Sequence, residues 1–374
     1  MEEKDLVENS TVINDVRLSP DFKGITFSGY KKGDVKKQFL LNIYNGKLEP
    51  SCYWCAELLC SGAFMDIWEV LLLYLGKYIH IGNPKLAIYL HKRFQIFRNI
   101  MAQGMFYDEL ELRNHKTIRH LFAEIICVFT HAVKKTGFES LKINKQDEFD
   151  LTKMTERLKA DSAQYTQTVL RKKDPNEIMV ALNEFMYHLN PNESHNVNMM
   201  EACYWLEWVI EFDNVCKKRK KECKCDRRYD VPVEPKFQCE IIWIIWDAIF
   251  YTIKTANNEF VNTVVQSIFE LFCIKFTAAC AKKRRFLLYF AISMICEPFQ
   301  CSQDIIHDKN IITHTLQQLP NIYKQIKKNE VRPKTDYLFA GIEDVESIEK
   351  SKQKMEWMNA VDIFSPNSDI VDDL

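Results

Sequence analysis

The sequence predicts an all-α protein, and three observations carry that expectation. Glycine is scarce, at 10 of 374 residues against a usual share of about 7%, and the 11 prolines are equally few, which favours long helices with few breaks. Apolar residues recur at helical spacing through most of the chain, as at Val35, Phe39, Leu40 and Ile43. The third observation is an echo: Cys52-Tyr53-Trp54-Cys55-Ala56-Glu57 is answered by Cys203-Tyr204-Trp205-Leu206-Glu207-Trp208.

Taken in order, residues 1–30 hold the breakers Pro20, Gly24 and Gly29 and read as an extended arm. Residues 31–135 form a first five-helix unit. Asp34 opens its first helix and Gly46 stops it; Pro50 starts the second and Gly62 ends it. Residues 64–79, 86–101 and 118–133 supply the other three, with a loop over 103–114. Residues 136–173 are a polar connector with one helix at 151–158. A second five-helix unit spans 174–298, opened by Asp174-Pro175 as N-cap and first helical residue. Its helices cover residues up to 189, then 199–215, 237–255, 259–281 and 283–297. Residues 299–341 give one or two more helices, interrupted at Pro320, and a linker. Residues 342–374 are an acidic tail with one amphipathic helix.

The two units are expected to be related copies. Ile67-Trp68-Glu69-Val70 pairs with Ile245-Trp246-Asp247-Ala248, and Leu121-Phe122-Ala123 with Tyr289-Phe290-Ala291, in the same order as the Cys-Tyr-Trp helices. Chance matching between two aromatic helical cores is the competing account. A duplicated helical unit stacks or pairs because a lone helical hairpin cannot bury its apolar face. Helix count also likens the chain to cyclin-box folds and to HEAT-type scaffolds, which says nothing of function.

Bulk properties narrow the classes. A formal net charge of −1 makes no general case for nucleic acid or acidic membranes, so any such case must be local. Most of the 13 cysteines sit in apolar helical runs as small hydrophobes, and residues 1–8 lack the apolar core of a secretory signal. A reduced, intracellular setting is expected. The strongest apolar runs, 241–253 and 286–296, fall short of the roughly 20 residues a membrane span needs, so no membrane partner is expected.

Four features are candidate sites. The run 217–228 holds eight basic residues, Lys217, Lys218, Arg219, Lys220, Lys221, Lys224, Arg227 and Arg228, against two acidic ones, enough to neutralise several phosphates of RNA or DNA. A solvated charged loop is the alternative. Cys216, Cys223, Cys225 and Cys239 around it invite a zinc reading, because thiolates flanked by cations deprotonate more easily and four of them close a tetrahedral site. Their spacing matches no familiar zinc pattern, and a reduced cysteine-rich loop competes. Otherwise no cofactor is expected. In the tail, Trp357, Met358, Val361, Ile363 and Phe364 form an apolar stripe among acidic residues, suited to folding on a protein partner or docking back on its own body. Trp54, Trp68, Trp205, Trp208, Trp243 and Trp246 are expected in the core.

Catalysis is not expected. The chain has no nucleophile elbow, no phosphate-cradling glycine loop and no dinucleotide fingerprint. His120 with Glu124, and His307 with His314, are isolated pairs.

Together, the stretch from Ser19-Pro20-Asp21-Phe22-Lys23-Gly24 through Tyr30-Lys31-Lys32, Cys52-Tyr53-Trp54 and Gly82-Asn83-Pro84-Lys85-Leu86 to Cys203-Tyr204-Trp205-Leu206-Glu207-Trp208 resembles a family of uncharacterised helical proteins of large nucleocytoplasmic DNA viruses. The resemblance brings no catalytic residues. It implies a viral protein acting in host cytoplasm, in a viral factory or in the virion. The expected function is a non-enzymatic scaffold binding partner proteins, with nucleic acid a further candidate ligand of the basic loop. The rivals are a minor capsid protein whose arm and tail tie neighbouring subunits, and a nucleic-acid-binding component of a replication, transcription or translation-initiation complex.

Overall fold

A computed structural model describes residues 10–103, 109–143, 155–190, 197–221 and 223–332. Among them are thirteen α-helices and no strand; the only sheet-like pairings are the isolated bridges Ile25 to Lys31 and Lys224 to Glu240. In chain order the helices are α1 (Lys32–Tyr44), α2 (Leu48–Cys60), α3 (Phe64–Tyr74), α4 (Lys85–Gln103), α5 (Glu109–Asn114), α6 (Lys116–Thr130), α7 (Met179–Leu189), α8 (Met199–Lys218), α9 (Ile242–Ala256), α10 (Glu259–Phe272), α11 (Cys280–Lys283), α12 (Arg285–Cys296) and α13 (Asn310–Lys327).

Local chemistry explains most ends. Gly46 and Gly62, at φ 73° and 71°, take the left-handed conformation that closes α1 and α2. Between α9 and α10, Asn257 is left-handed at φ 50°, and the Asn258 side chain accepts from the Val261 amide, so adjacent asparagines close one helix and open the next. The helix expected to run through residue 79 changes at Tyr74 into a wider turn, Leu75–Ile79. A Cβ on Gly76 would lie 2.8 Å from the backbone of Phe286, so only glycine lets this turn approach α12 so closely. Pro320 does not interrupt α13. Leu319, Ile322, Tyr323 and Ile326 are buried against α2 and α6, and that burial outweighs the roughly 3 kcal/mol cost of an internal proline. Residues 273–279 break the helix expected over 259–281, with Lys275 left-handed at φ 43°. The loop expected over 103–114 ends in the short helix α5. Residues 151–154 of the connector helix and all of the tail from 342 lie outside the described residues.

Contacts gather into two compact units that do not follow the expected boundaries of 31–135 and 174–298. One unit takes residues 1–74, 92–132 and 304–374, and the other takes 75–91 and 133–303. In the first, α1 packs on α2, α3 and α6, and α2 packs on α3 and α6, with α13 covering α2 and α6. Within the second, α7 packs on α8, α9 and α12, and α8 packs on α9 and α12, with Leu75–Ile79 and α10 covering α12. The five pairings thus occur in the same chain order in both. Trp68 of α3 meets Phe94 and Phe97 of α4 at centroid distances of 5.0 and 5.7 Å, and Trp246 of α9 meets Phe269 and Phe272 of α10 at 5.1 and 5.4 Å. All six tryptophans expected in the core are buried.

The N-terminal arm, from residue 11 on, is clasped by its own unit. Asn114 exchanges two hydrogen bonds with the Ile13 backbone, at 2.9 and 2.8 Å, Arg119 donates to the Thr11 carbonyl, and Arg113 donates to that of Arg17. Val16 and Val331 pair along the backbone, and Asp15 accepts from the Val331 amide. Glu57 of α2 is the buried end of this clasp. Its carboxylate accepts from Thr26 Oγ1, from the Ser28 amide and from Ser28 Oγ, while Asn329 donates to Ser28 Oγ at 2.8 Å. Burial lifts the Glu57 carboxyl above its ordinary value, and the hydrogen bonds from Ser28, Thr26 and Tyr53 recover part of that shift. A carboxyl raised by folding binds its proton more tightly in the native state. Its contribution is therefore complete below the ordinary glutamate range and declines as pH rises through the folded value. Glu57→Gln is expected to flatten this decline in urea-unfolding midpoints measured from pH 4 to 8; an unchanged slope would show that Glu57 is not its source.

Candidate functional site

Apart from residue 222, which lies outside the described residues, the basic run is a hydrogen-bonded loop in the second unit, built from the end of α8 outward. Cys216 N-terminal to the turn accepts from the Lys221 amide and Lys217 from that of Lys220, the double hydrogen bond that closes a helix with a left-handed residue. That residue is Lys220, at φ 54°, where glycine is usual. A side chain there costs roughly 1–2 kcal/mol. Beyond it the chain returns antiparallel to 238–240: the Cys225 amide donates to the Cys239 carbonyl at 2.9 Å and the Arg228 amide to that of Gln238 at 3.0 Å. Gln238 braces the return, accepting from Arg227 Nε at 2.7 Å and donating to the Val231 carbonyl at 3.1 Å.

The eight cations divide into two groups. Arg228 is fully buried and paired with Asp174 through two hydrogen bonds of 2.5 and 2.7 Å and with Asp247 through one of 2.9 Å. It is structural, and the expectation that it faces nucleic acid is corrected. Lys217 is held by Asp213 at 2.5 Å and Glu240 at 2.8 Å, and Lys221 by Glu177 at 3.0 Å. Lys218, Arg219, Lys220 and Lys224 are exposed and form no ion pair among the described residues. Arg227 lies 4.8 Å from the ring of Tyr229, which is 76% exposed. Sequence reading missed Tyr229, which lies one residue past the run's end.

Asp174 was expected to cap a helix. Instead α7 begins at Met179 after a short turn, and the Asp174 carboxylate accepts from the amides of Arg171 and Asp226 at 2.9 and 2.8 Å as well as from Arg228. Burial alone would raise its carboxyl; the bonds from Arg228, Arg171 and Asp226 overcome that and hold it below its ordinary value.

The four cysteines do not assemble a metal site. Among the described residues no three His, Cys, Asp or Glu side chains converge as a metal would require. Cys223 lies against Cys216, and Cys225 runs beside Cys239 with its thiol on the Glu240 carbonyl at 3.2 Å. Nearby cations do not activate Cys223 or Cys225. Burial, then Cys216, pushes Cys223 up to about 12, and burial pushes Cys225 to about 12 despite Arg228. Elsewhere, Glu124 pairs with Arg93 at 2.5 Å. Trp357, Met358, Val361, Ile363 and Phe364 lie outside the described residues.

Fold and surface together define an all-α protein of two helical units, the second carrying a braced basic loop. Among the described residues no helix is long and apolar enough to cross a membrane. Compared with known protein families, curated proteins and solved structures, the chain matches none of them.

Proposed function

We propose that this chain is a non-enzymatic helical scaffold that holds a polyanion on the loop 217–228, in keeping with its resemblance to helical proteins of large DNA viruses. The observation that carries the reading is Lys220. Glycine at that corner would relieve the strain, yet the chain keeps a lysine there, exposed and directly preceded by the exposed Lys218 and Arg219. Strain retained at a surface corner has a use when the side chain it retains does work. The recurrence of the same five helix pairings and the same Trp-Phe-Phe clusters supports reading the two helical sets as copies of one unit. On that reading, the loop inserted after α8 is where the copies diverge. The clasped arm argues against the capsid-type rival in which the arm ties neighbouring subunits, and the tail stripe is a proposed protein-binding segment.

Lys220→Gly tests the reading because its two effects oppose. It is expected to stabilise the protein by about 1 kcal/mol. Affinity for a labelled oligonucleotide is expected to fall, with the salt slope reduced by about one unit. Unchanged affinity in Lys220→Gly, and in the triple variant Lys218→Ala/Arg219→Ala/Lys220→Ala, would remove the loop from the function.

A further inference from the structure

A second basic run, Arg171-Lys172-Lys173, is brought to the loop by the buried Asp174. The same carboxylate takes the Arg171 amide, the Asp226 amide and the Arg228 guanidinium, and Arg171 Nη1 also reaches the Arg227 carbonyl at 3.4 Å. Two segments more than 50 residues apart are therefore held as one piece within the second unit. All three residues of the run are exposed; Arg171 is drawn to Asp247 at 3.8 Å, whereas Lys172 and Lys173 form no ion pair among the described residues. Next to this junction stands Tyr229, which Arg227 approaches at 4.8 Å and which is otherwise open to solvent.

We infer that these parts form one composite site for single-stranded nucleic acid, with Tyr229 as the stacking platform for a base and Lys172, Lys173, Lys218, Arg219, Lys220 and Lys224 as phosphate contacts. The inference rests on the polyanion reading above and goes further by naming the ligand and the added half of the site. Beside cations, an exposed tyrosine ring supplies what phosphate contacts alone do not. Every base of a single strand has a free π-face, whereas the bases of a duplex are already stacked on one another. A highly charged acidic peptide would satisfy the lysines but would leave the ring unused.

The test is fluorescence anisotropy on the full chain with a labelled 20-nucleotide oligo-dT, a labelled 20-base-pair duplex, heparin and polyglutamate. The variants are Tyr229→Ala, Tyr229→Phe and Lys172→Ala/Lys173→Ala, whose side chains are exposed and so leave folding intact, checked by circular dichroism. Tyr229→Ala is expected to weaken oligo-dT binding about 5- to 150-fold, from a stacking contribution of roughly 1–3 kcal/mol per base. Tyr229→Phe keeps the π-face and stays near the parent, and heparin binding is unmoved by either. The double lysine variant lowers the oligo-dT salt slope by about 0.7 for each phosphate contact removed. If oligo-dT binds through Lys218, Arg219 and Lys220 while Tyr229→Ala and the double lysine variant match the parent, the composite site is wrong and the polyanion reading stands. Tighter binding of the duplex or of polyglutamate than of oligo-dT would also overturn it. Should no probe bind, the polyanion reading itself fails.

Discussion

Arg228→Met is expected to lower the unfolding free energy of the second unit by about 3–5 kcal/mol, because it strands a buried carboxylate. Asp174 is 1% exposed, and Arg228 supplies both of its side-chain cation contacts while also meeting Asp247. Asp174 cannot recover its hydration without opening the loop, whereas the Asp247 side chain is 26% exposed and keeps Arg171 at 3.8 Å. Replacing both partners, as in Arg228→Met with Asp174→Leu, removes the stranded charge and is expected to restore part of the loss. Arg228→Lys keeps the charge but cannot reproduce the paired geometry, so it falls between. The pH dependence has a definite sign. Asp174 is held below its ordinary value when folded, so its contribution is present above the unfolded value and is lost as pH falls through the folded one. Urea denaturation followed at neutral and acid pH reads all of these; a loss below about 1 kcal/mol for Arg228→Met at neutral pH would mean the pair is not buried as described. The same variant should weaken oligonucleotide binding although Arg228 touches no ligand, since Asp174 is then tied to the loop only through the Asp226 amide.

Trp68→Ala and Trp246→Ala are each expected to cost about 3–5 kcal/mol, the range for emptying a large buried aromatic. Each ring sits in a cluster of phenylalanines: Phe94, Phe97 and Phe122 around Trp68, and Phe250, Phe269 and Phe272 around Trp246. Among the described residues neither indole N–H has a hydrogen-bond partner, so Trp→Phe gives up ring area without freeing a satisfied donor, and its cost should be well below that of Trp→Ala. The two sites share no partner, and the double variant is expected to be additive within about 0.5 kcal/mol. Matched costs fit two copies of one unit; a cost below about 1.5 kcal/mol at one site would place that ring outside a packed core.

Much of the fold was legible because it is local. Periodicity located the long helices, Gly46 and Gly62 marked real ends, and the buried Cys-Tyr-Trp faces of α2 and α8 followed from residue type. What failed did so where distant groups outweighed local preference. Pro320 sits inside α13 because that helix has a core to cover, and Asp174 abandons helix capping because a buried guanidinium needs it more.

The candidate site shows the same division. The sequence by itself determined that the densest cluster of cations lies at 217–228, since eight basic residues within twelve positions of a near-neutral chain are visible as composition. It could not show which of those cations face water: Arg228 and Lys218 look alike on paper, and only the pairing with Asp174 separates them. Nor could it attach Lys172 and Lys173 to the loop or set Tyr229 beside Arg227, because contacts between residues far apart in the chain are decided by how helices pack and not by local spacing. Charge is a property of the residue, whereas exposure and partnership belong to the folded chain.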